Sequence, residues 1–477
     1  MYPGGAGSRR ERRDTVHSPA RLPDRAERPF GAALCFDPWE EMGAFLPAAP
    51  LLPCTGALLS SQAVNPLAPF SLRECDMESG ANVWNCPFDY AEALEFDPTL
   101  KRLLTEEPVA RIRLPYGEGE AWLVTRYEDV RTVTTDRRFS RSAIIGRDFP
   151  RMTPEPIVQD EAINVMDPPA SSRLRSLVSK AFAPRQVERM RARTRHVVDE
   201  LLDRMAKHGS PADLMESLAS PLPLTTICEV LDIPEADRGQ LRAHARTMMN
   251  VSLDNRDKAV RAKAEMRGYF KTLTAKRRQH PGDDLISALA TARDGDEVLG
   301  DQELTVMAMV LLITGQDTTT YEIGNLAYTL LTRPDELAML RSRPEVLPQA
   351  MEEMLRFIPF RKGVGIPRVA TEDVELSGVT IRAGDIVHVS YLTANRDPRK
   401  FDRPDELDLE RDKPSHMTFG WGGHHCLGAP LAFTELEVAL GSLLERFPEL
   451  RLAKAPEDVR WNTTSIWRYP LELPVAW

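Results

Sequence analysis

The chain has 477 residues, of which 42% are hydrophobic, 28% charged and only 6 are Cys, a composition that excludes wholesale disorder, collagen-like repetition and a disulfide-stapled secreted scaffold. Its 61 basic and 71 acidic residues leave a net charge of -10, which disfavours nonspecific binding to nucleic acid. The longest apolar run of the body, Val306 to Ile313, is far short of the ~20 residues a membrane span needs, so the expectation is a cytoplasmic enzyme without nucleic-acid or membrane partners.

Residues 1–76 hold 10 of the 38 Pro and no Lys, and carry no sustained helical or strand period. They are expected to be an unstructured extension, with Met77 as an alternative start. Arg9, Arg10, Arg12 and Arg13 precede an apolar stretch from Gly43 to Leu59, which imitates a secretory signal; Pro47, Pro50 and Pro53 break it, and the basic cluster lies too far upstream. From about Asn82 to Trp477 the pattern is that of one globular domain. Val109–Leu114 and Ala121–Thr125 read as strands around the turn Tyr116-Gly117-Glu118-Gly119. Helical segments follow at about 172–182, 186–207, 222–231 and 256–279, then from Leu304 to Leu331, a length of about 42 Å that must be central. A further helix spans about Glu345 to Phe357, and alternation in Val374–Ile381 and Ile386–Tyr391 predicts a small sheet.

The sharpest feature is Phe419-Gly420-Trp421-Gly422-Gly423-His424-His425-Cys426-Leu427-Gly428, followed by a helix-like run from Leu431 to Phe447. Four Gly in nine residues permit turns closed to residues with a Cβ, so main-chain N–H groups can approach one atom, here the Cys426 sulfur. A thiolate at the start of a helix is favoured by the helix dipole, and N–H groups aimed at it tune its donation to a metal. Three other readings compete. A dinucleotide-binding Gly-x-Gly-x-x-Gly would begin at Gly420, but its third Gly position holds His425. Zinc on His416, His424, His425 and Cys426 asks adjacent residues to converge on one tetrahedral ion. The last is a Gly-rich loop with an inert buried Cys.

Phe419-Gly420-x-Gly422-x-His424-x-Cys426-x-Gly428 resembles the heme-binding loop of the cytochrome P450 superfamily. Glu353-Met354-Leu355-Arg356 is similar to that family's Glu-x-x-Arg helix pair, and Thr314-Gly315-Gln316-Asp317-Thr318-Thr319 to its oxygen-binding groove; all three stand in the family's order. The resemblance implies a mainly α fold with a small β portion and a single heme-binding domain over residues 82–477. It implies heme b held through Cys426, and a monooxygenase that uses dioxygen and two electrons. A ferredoxin or flavodoxin with its reductase would supply them.

Site roles follow from the same resemblance. Glu353 and Arg356, three apart on one helix face, would be a buried structural pair beneath the heme; otherwise they are an exposed pair worth roughly 0.3–0.5 kcal/mol. Asp317 and Thr318 would deliver protons during catalysis; otherwise Gly315 and a Thr hydroxyl bonded back to a carbonyl only kink the helix. Thr314 stands where the family has Ala or Gly, which bears on substrate orientation. Arg175, Arg368 and His424, with Phe419 and Gly420 of the loop, would hold the cofactor and its propionates. Ser171 stands where the family usually has His, so one propionate donor is expected to be lost, and Phe433 replaces a usual Arg. Arg399, Lys400, Arg403 and Arg411 are candidates for a basic face toward an acidic electron donor.

For the substrate pocket the candidates are Ile313, Thr314, Val364 and Ile466, with Met248, Met249 and Val310 beside them. Arg361 and Lys362 interrupt the pocket segment with positive charge, which suits a phenolate, a carboxylate or a carbonyl-rich aromatic. Ile358–Gly365 and Ala455–Asp458 are similar to biflaviolin synthase-like natural-product oxidases, which favours secondary metabolism, antibiotic biosynthesis included. The expected reaction is hydroxylation or epoxidation of a small natural product; the competing ones are oxidative coupling of aromatic or indole units without oxygen insertion, and a silent heme module in an assembly.

Overall fold

A 31-residue helix, Asp301–Leu331, organises the chain. The computed structural model describes residues 83–86, 93–157, 160–179, 182, 184–293 and 298–477. The extension expected over 1–76 and the alternative start at Met77 lie outside the described residues. The long helix opens where the Glu303 carboxylate accepts the Gly300 N–H at 2.8 Å, with Asp301 and Glu303 at the positive end of its dipole. Apolar side chains on nearly every face mark it as buried all round. Leu304, Met307, Leu312 and Ile313 pack into one apolar cluster, which includes residues of helices Glu235–Met248 and Arg256–Gln279. Ile323, Leu326 and Leu330 pack into another, shared with helices Pro184–His208, Leu347–Phe357 and Ala429–Arg446. The helix is therefore oily at both ends and polar from Thr314 to Thr320, in its middle.

The β portion is a six-stranded sheet in the order Val83–Asn85, Val109–Arg113, Ala121–Val124, Ile386–Val389, Arg368–Ala370, Phe139–Ser140. A three-stranded sheet and the hairpin Val374–Leu376/Val379–Ile381 complete it. Phe139 pairs with Ala370 and Ser140 with Val369, antiparallel. Arg141 follows that pairing directly, at the start of the tight turn Ser142–Ile144, and Arg368 opens the partner strand.

The two expected strands form as antiparallel neighbours, Val109 opposite Val124. The long helix starts three residues before its expected Leu304, because Gly300 and Glu303 cap it there. The helix expected from Glu345 begins as a tight turn over Pro344–Val346 before Leu347–Phe357. No described helix is long and apolar enough to cross a membrane.

Candidate active site

The cysteine loop enters helix Ala429–Arg446 through Gly428 and Pro430, whose missing N–H costs nothing in a first turn. Cys426 N–H donates to the Phe419 carbonyl at 2.8 Å and Gly420 N–H to that of Met417 at 2.8 Å, which closes the loop on itself. Gly420 and Gly422 hold φ of +77° and +67°, and a Cβ at Gly422 would sit 2.9 Å from the Thr134 carbonyl oxygen. Cys426 keeps residual exposure as a residue, while the surrounding loop desolvates its thiol. Burial pushes its thiol up, while the N–H groups of Gly428 and Ala429, and then Arg175, favour the thiolate. Arg175 donates to the His425 carbonyl at 2.6 Å, so in this structure it braces the loop.

Beneath the loop, Glu353 and Arg356 are wholly buried. Arg356 Nε and Nη2 donate to the two Glu353 oxygens at 2.7 and 2.8 Å, and Nη1 to the carbonyls of Asn395 and Pro404. Arg411 Nε donates to Glu353 at 2.9 Å and Asp408 N–H at 3.0 Å. Asn395 receives Met417 N–H and donates to Thr418, whose hydroxyl bonds the Leu355 carbonyl; helix Leu347–Phe357 and the loop are thereby one unit. This corrects the expectation for Arg411, which belongs to the knot and not to a partner face. Arg403 pairs with Glu406 and Arg399 with Asp397, while Lys400 lies over the Tyr127 ring, so that basic stretch is largely neutralised by its own surroundings. Phe433 is packed against the cluster of helix Ala429–Arg446. Of the residues weighed for zinc, His416 is held instead by Glu352 at 2.7 Å.

Above the loop, cations gather. Arg368 is 1% exposed, and neither of its Nη atoms has a hydrogen-bond partner. Arg141, 8% exposed, donates Nη1 to the Asn164 carbonyl and leaves Nε unpartnered. Burial and then the charge of Arg368 press down on Arg141. His424 is pushed down to about 3 by burial, then by Arg141 and Arg368, against Asp167. Like charges crowded in a dry site are costly unless an anion lies among them. The set fits heme: a sulfur donor for the metal, and unsatisfied guanidinium donors for two propionates. Arg141 was not singled out from the sequence, where a lone Arg looks like any solvated charge. Arg368, whose charge acts on it, was. Ser171 is buried and adds no charge.

In the long helix, Thr314 and Thr318 share one face and both hydroxyls bond back a turn, to the carbonyls of Val310 and Thr314, each at 2.7 Å. Asp317, one step round, is 1% exposed; Oδ1 accepts from the Gln316 amide at 3.2 Å and Oδ2 has no partner. Burial raises its carboxyl to about 6, against the pull of Arg246, Arg242, Tyr321 and Gln316. Arg242, Arg246, Thr320 and Tyr321 line a polar cavity, which opens that side of the helix. A Cβ at Gly315 would sit 3.1 Å from Ile227, so this glycine lets helix Pro221–Val230 approach.

A second cleft, enclosing about 430 Å³ with its open mouth included, is lined by Phe149, Met152, Arg361, Val364, Ile366 and Ile466 among others. Val364 and Ile466, expected in the pocket, are therefore brought together. Ile313, Met248 and Met249 belong to the same apolar cluster without lining this cleft, and Thr314 is exposed on the groove face.

Comparison with known proteins gives a match of residues 225–463 to the family described as Cytochrome P450. The chain is 47% identical to nocardicin C N-oxygenase of Nocardia uniformis subsp. tsuyamanensis, over 82% of this chain and 98% of that one. It is 40% identical to biflaviolin synthase CYP158A1 of Streptomyces coelicolor, over 80% and 93%. Among solved structures, cytochrome P450mel 107F1 "with biaryl coupling reactivity" is 74% identical with a TM-score of 0.82, covering 83% of this chain and 100% of that one.

Proposed function

The chain belongs to the cytochrome P450 family and is a monooxygenase of secondary metabolism, and from that premise we propose that the Cys426 thiolate would hold the iron of heme b and that Arg141, Arg368 and His424 would receive its propionates. The observation that carries this reading is the pairing of a loop-framed sulfur with the buried Arg368 guanidinium, whose two Nη atoms have no hydrogen-bond partner. When bound, the heme supplies the reduction of dioxygen and the oxidation of a small organic substrate. This chain's residues do the rest. Glycine-loop N–H groups stabilise the sulfur's negative charge. Asp317, its carboxyl raised to about 6 by burial, takes a proton from the polar cavity of Arg242 and Tyr321 and returns it on the groove side. Thr318 passes it on once its hydroxyl leaves the Thr314 carbonyl. Apolar walls around Val364 and Ile466 exclude water from the substrate. The electrons come from a ferredoxin or flavodoxin with its reductase, and the enzyme works in the cytoplasm.

Cys426→Ser tests the assignment. The reduced carbon monoxide complex of the parent protein should show the red-shifted Soret band of thiolate ligation, and the variant should lose it; an unaltered band would reject Cys426. Hydroxylation of a natural product is the main reaction proposed. Oxidative coupling of aromatic units is a second reading, favoured by the 74% identity to a P450 with biaryl coupling reactivity. Turnover under labelled dioxygen separates them: a monomer carrying the label supports hydroxylation, and an unlabelled dimer supports coupling.

A further inference from the structure

We infer that Arg361 is the specificity-determining residue of the substrate cleft and that the substrate it selects is an aromatic anion, bound through a phenolate or carboxylate oxygen. The inference rests on the P450 reading above and names its substrate class. Arg361 is the cation in an otherwise mainly apolar wall formed by Phe149, Met152, Val364, Ile366 and Ile466. The cleft has one other lining cation, Arg151, which is already bonded to Asp148 and to the carbonyls of Phe149 and Pro154. Next in the chain, Lys362 donates its Nζ to the Asn462 carbonyl at 3.0 Å. Among the described residues nothing accepts a hydrogen bond from the Arg361 guanidinium, and its Nε is buried without a partner.

The side chain is also fixed in place. Lys362 N–H donates to the Ile466 carbonyl and Arg468 N–H to that of Phe360, both at 2.7 Å, so the two segments run as a short antiparallel bridge. The guanidinium lies 4.8 Å over the Trp467 ring, which stacks in turn on Phe360 at 4.9 Å and 8°. Gly365 lies close beside it, and a Cβ there would stand 3.2 Å from Arg361 Nη1. The charged groups nearby bring no carboxylate: Arg141 and Arg368 are cations, Tyr391 is the one acidic group felt at Arg361, and burial, with the charges of Arg361 and Arg368 and against the carbonyls of Pro150 and Gly365, leaves His388 neutral above about pH 4. A planar cation on an aromatic platform, unsatisfied and facing apolar walls, matches a flat ring with an anionic oxygen at its edge. A neutral ring would leave the guanidinium buried and unpaired, which is the discrimination that makes it selective.

The probes are 2-naphthoate and its neutral isostere 2-naphthamide, titrated into the heme-loaded protein by calorimetry and by the Soret spin-state shift. The parent protein should bind the anion at least about tenfold more tightly than the amide. Arg361→Gln should bring the ratio near one with amide affinity changed less than about threefold, and Arg361→Lys should restore part of it. Equal affinity for the two probes, binding of neither, or a ratio untouched by Arg361→Gln would each overturn the inference. The carbon monoxide spectrum and heme content, measured on every variant, read the P450 assignment separately: an intact thiolate band without anion preference defeats this inference alone. Loss of heme in both Arg361 variants would instead reassign the residue to the cofactor, and would equally overturn it.

Discussion

The Thr318 hydroxyl is at rest on a carbonyl of its own helix, while burial raises the carboxyl of Asp317, one residue earlier, to about 6. Neither is engaged in a fixed ion pair, so each is free to exchange a proton at small cost. Thr318→Ala should leave heme content and the carbon monoxide band intact, yet lower product per electron pair at least about tenfold, with the difference released as hydrogen peroxide. Unchanged coupling in a peroxide assay would remove Thr318 from the relay. His388 gives a prediction of another kind. Its two ring nitrogens face the carbonyls of Gly365 and Pro150, and burial lowers it from 6.5 to about 4. The unfolded chain binds a proton below pH 6.5 and the folded ring does so only near 4, so stability is full above 6.5 and is lost as pH falls toward 4. The loss at this ring should approach about 3 kcal/mol, and His388→Gln should show a correspondingly shallower fall in denaturant midpoint between pH 7 and 4. Parallel curves for the two proteins would refute it.

At the scale of elements, the buried knot of Glu353, Arg356 and Arg411 joins helix Leu347–Phe357 to the segment that leads to the cysteine loop. Removing one member strands a charge inside, so Glu353→Gln should cost about 3–5 kcal/mol and release heme without any change of product pattern in the residual holoenzyme. Heme retention measured by the absorbance ratio of the purified protein checks it. The long helix was legible because its apolar pattern continues from near Leu304 to Leu331, although its start at Asp301 was not, and the cysteine loop because it stands with two further motifs in one family's order. Helix Tyr127–Thr135 was not, since Val130, Thr132, Val133, Thr134 and Thr135 favour extended backbone; burial of Tyr127, Val130 and Val133 on one face makes it a helix. Helix Pro98–Glu106 did carry a signal, Asp97 followed by Pro98, and Asp97 indeed caps Thr99 N–H at 2.7 Å. Arg141 was hidden for a different reason: only the pairing of two short strands distant in sequence brings it near Arg368.

For the whole molecule, the relatives match over about four fifths of the chain, 82% for the N-oxygenase and 83% for the coupling P450. We expect a chain beginning at Met77 to fold, load heme and give the same carbon monoxide spectrum and thermal midpoint as the full protein; a loss of more than a few degrees would show that the preceding residues support the domain. The cleft also has a consequence for engineering. Its walls come from connecting segments, 149–157, 361–367 and the 462–470 turn, whereas the charged knot that secures the cysteine lies on other elements. Libraries that randomise Val364, Ile366 and Ile466 should therefore diversify the accepted compounds while most clones still emerge red from purification.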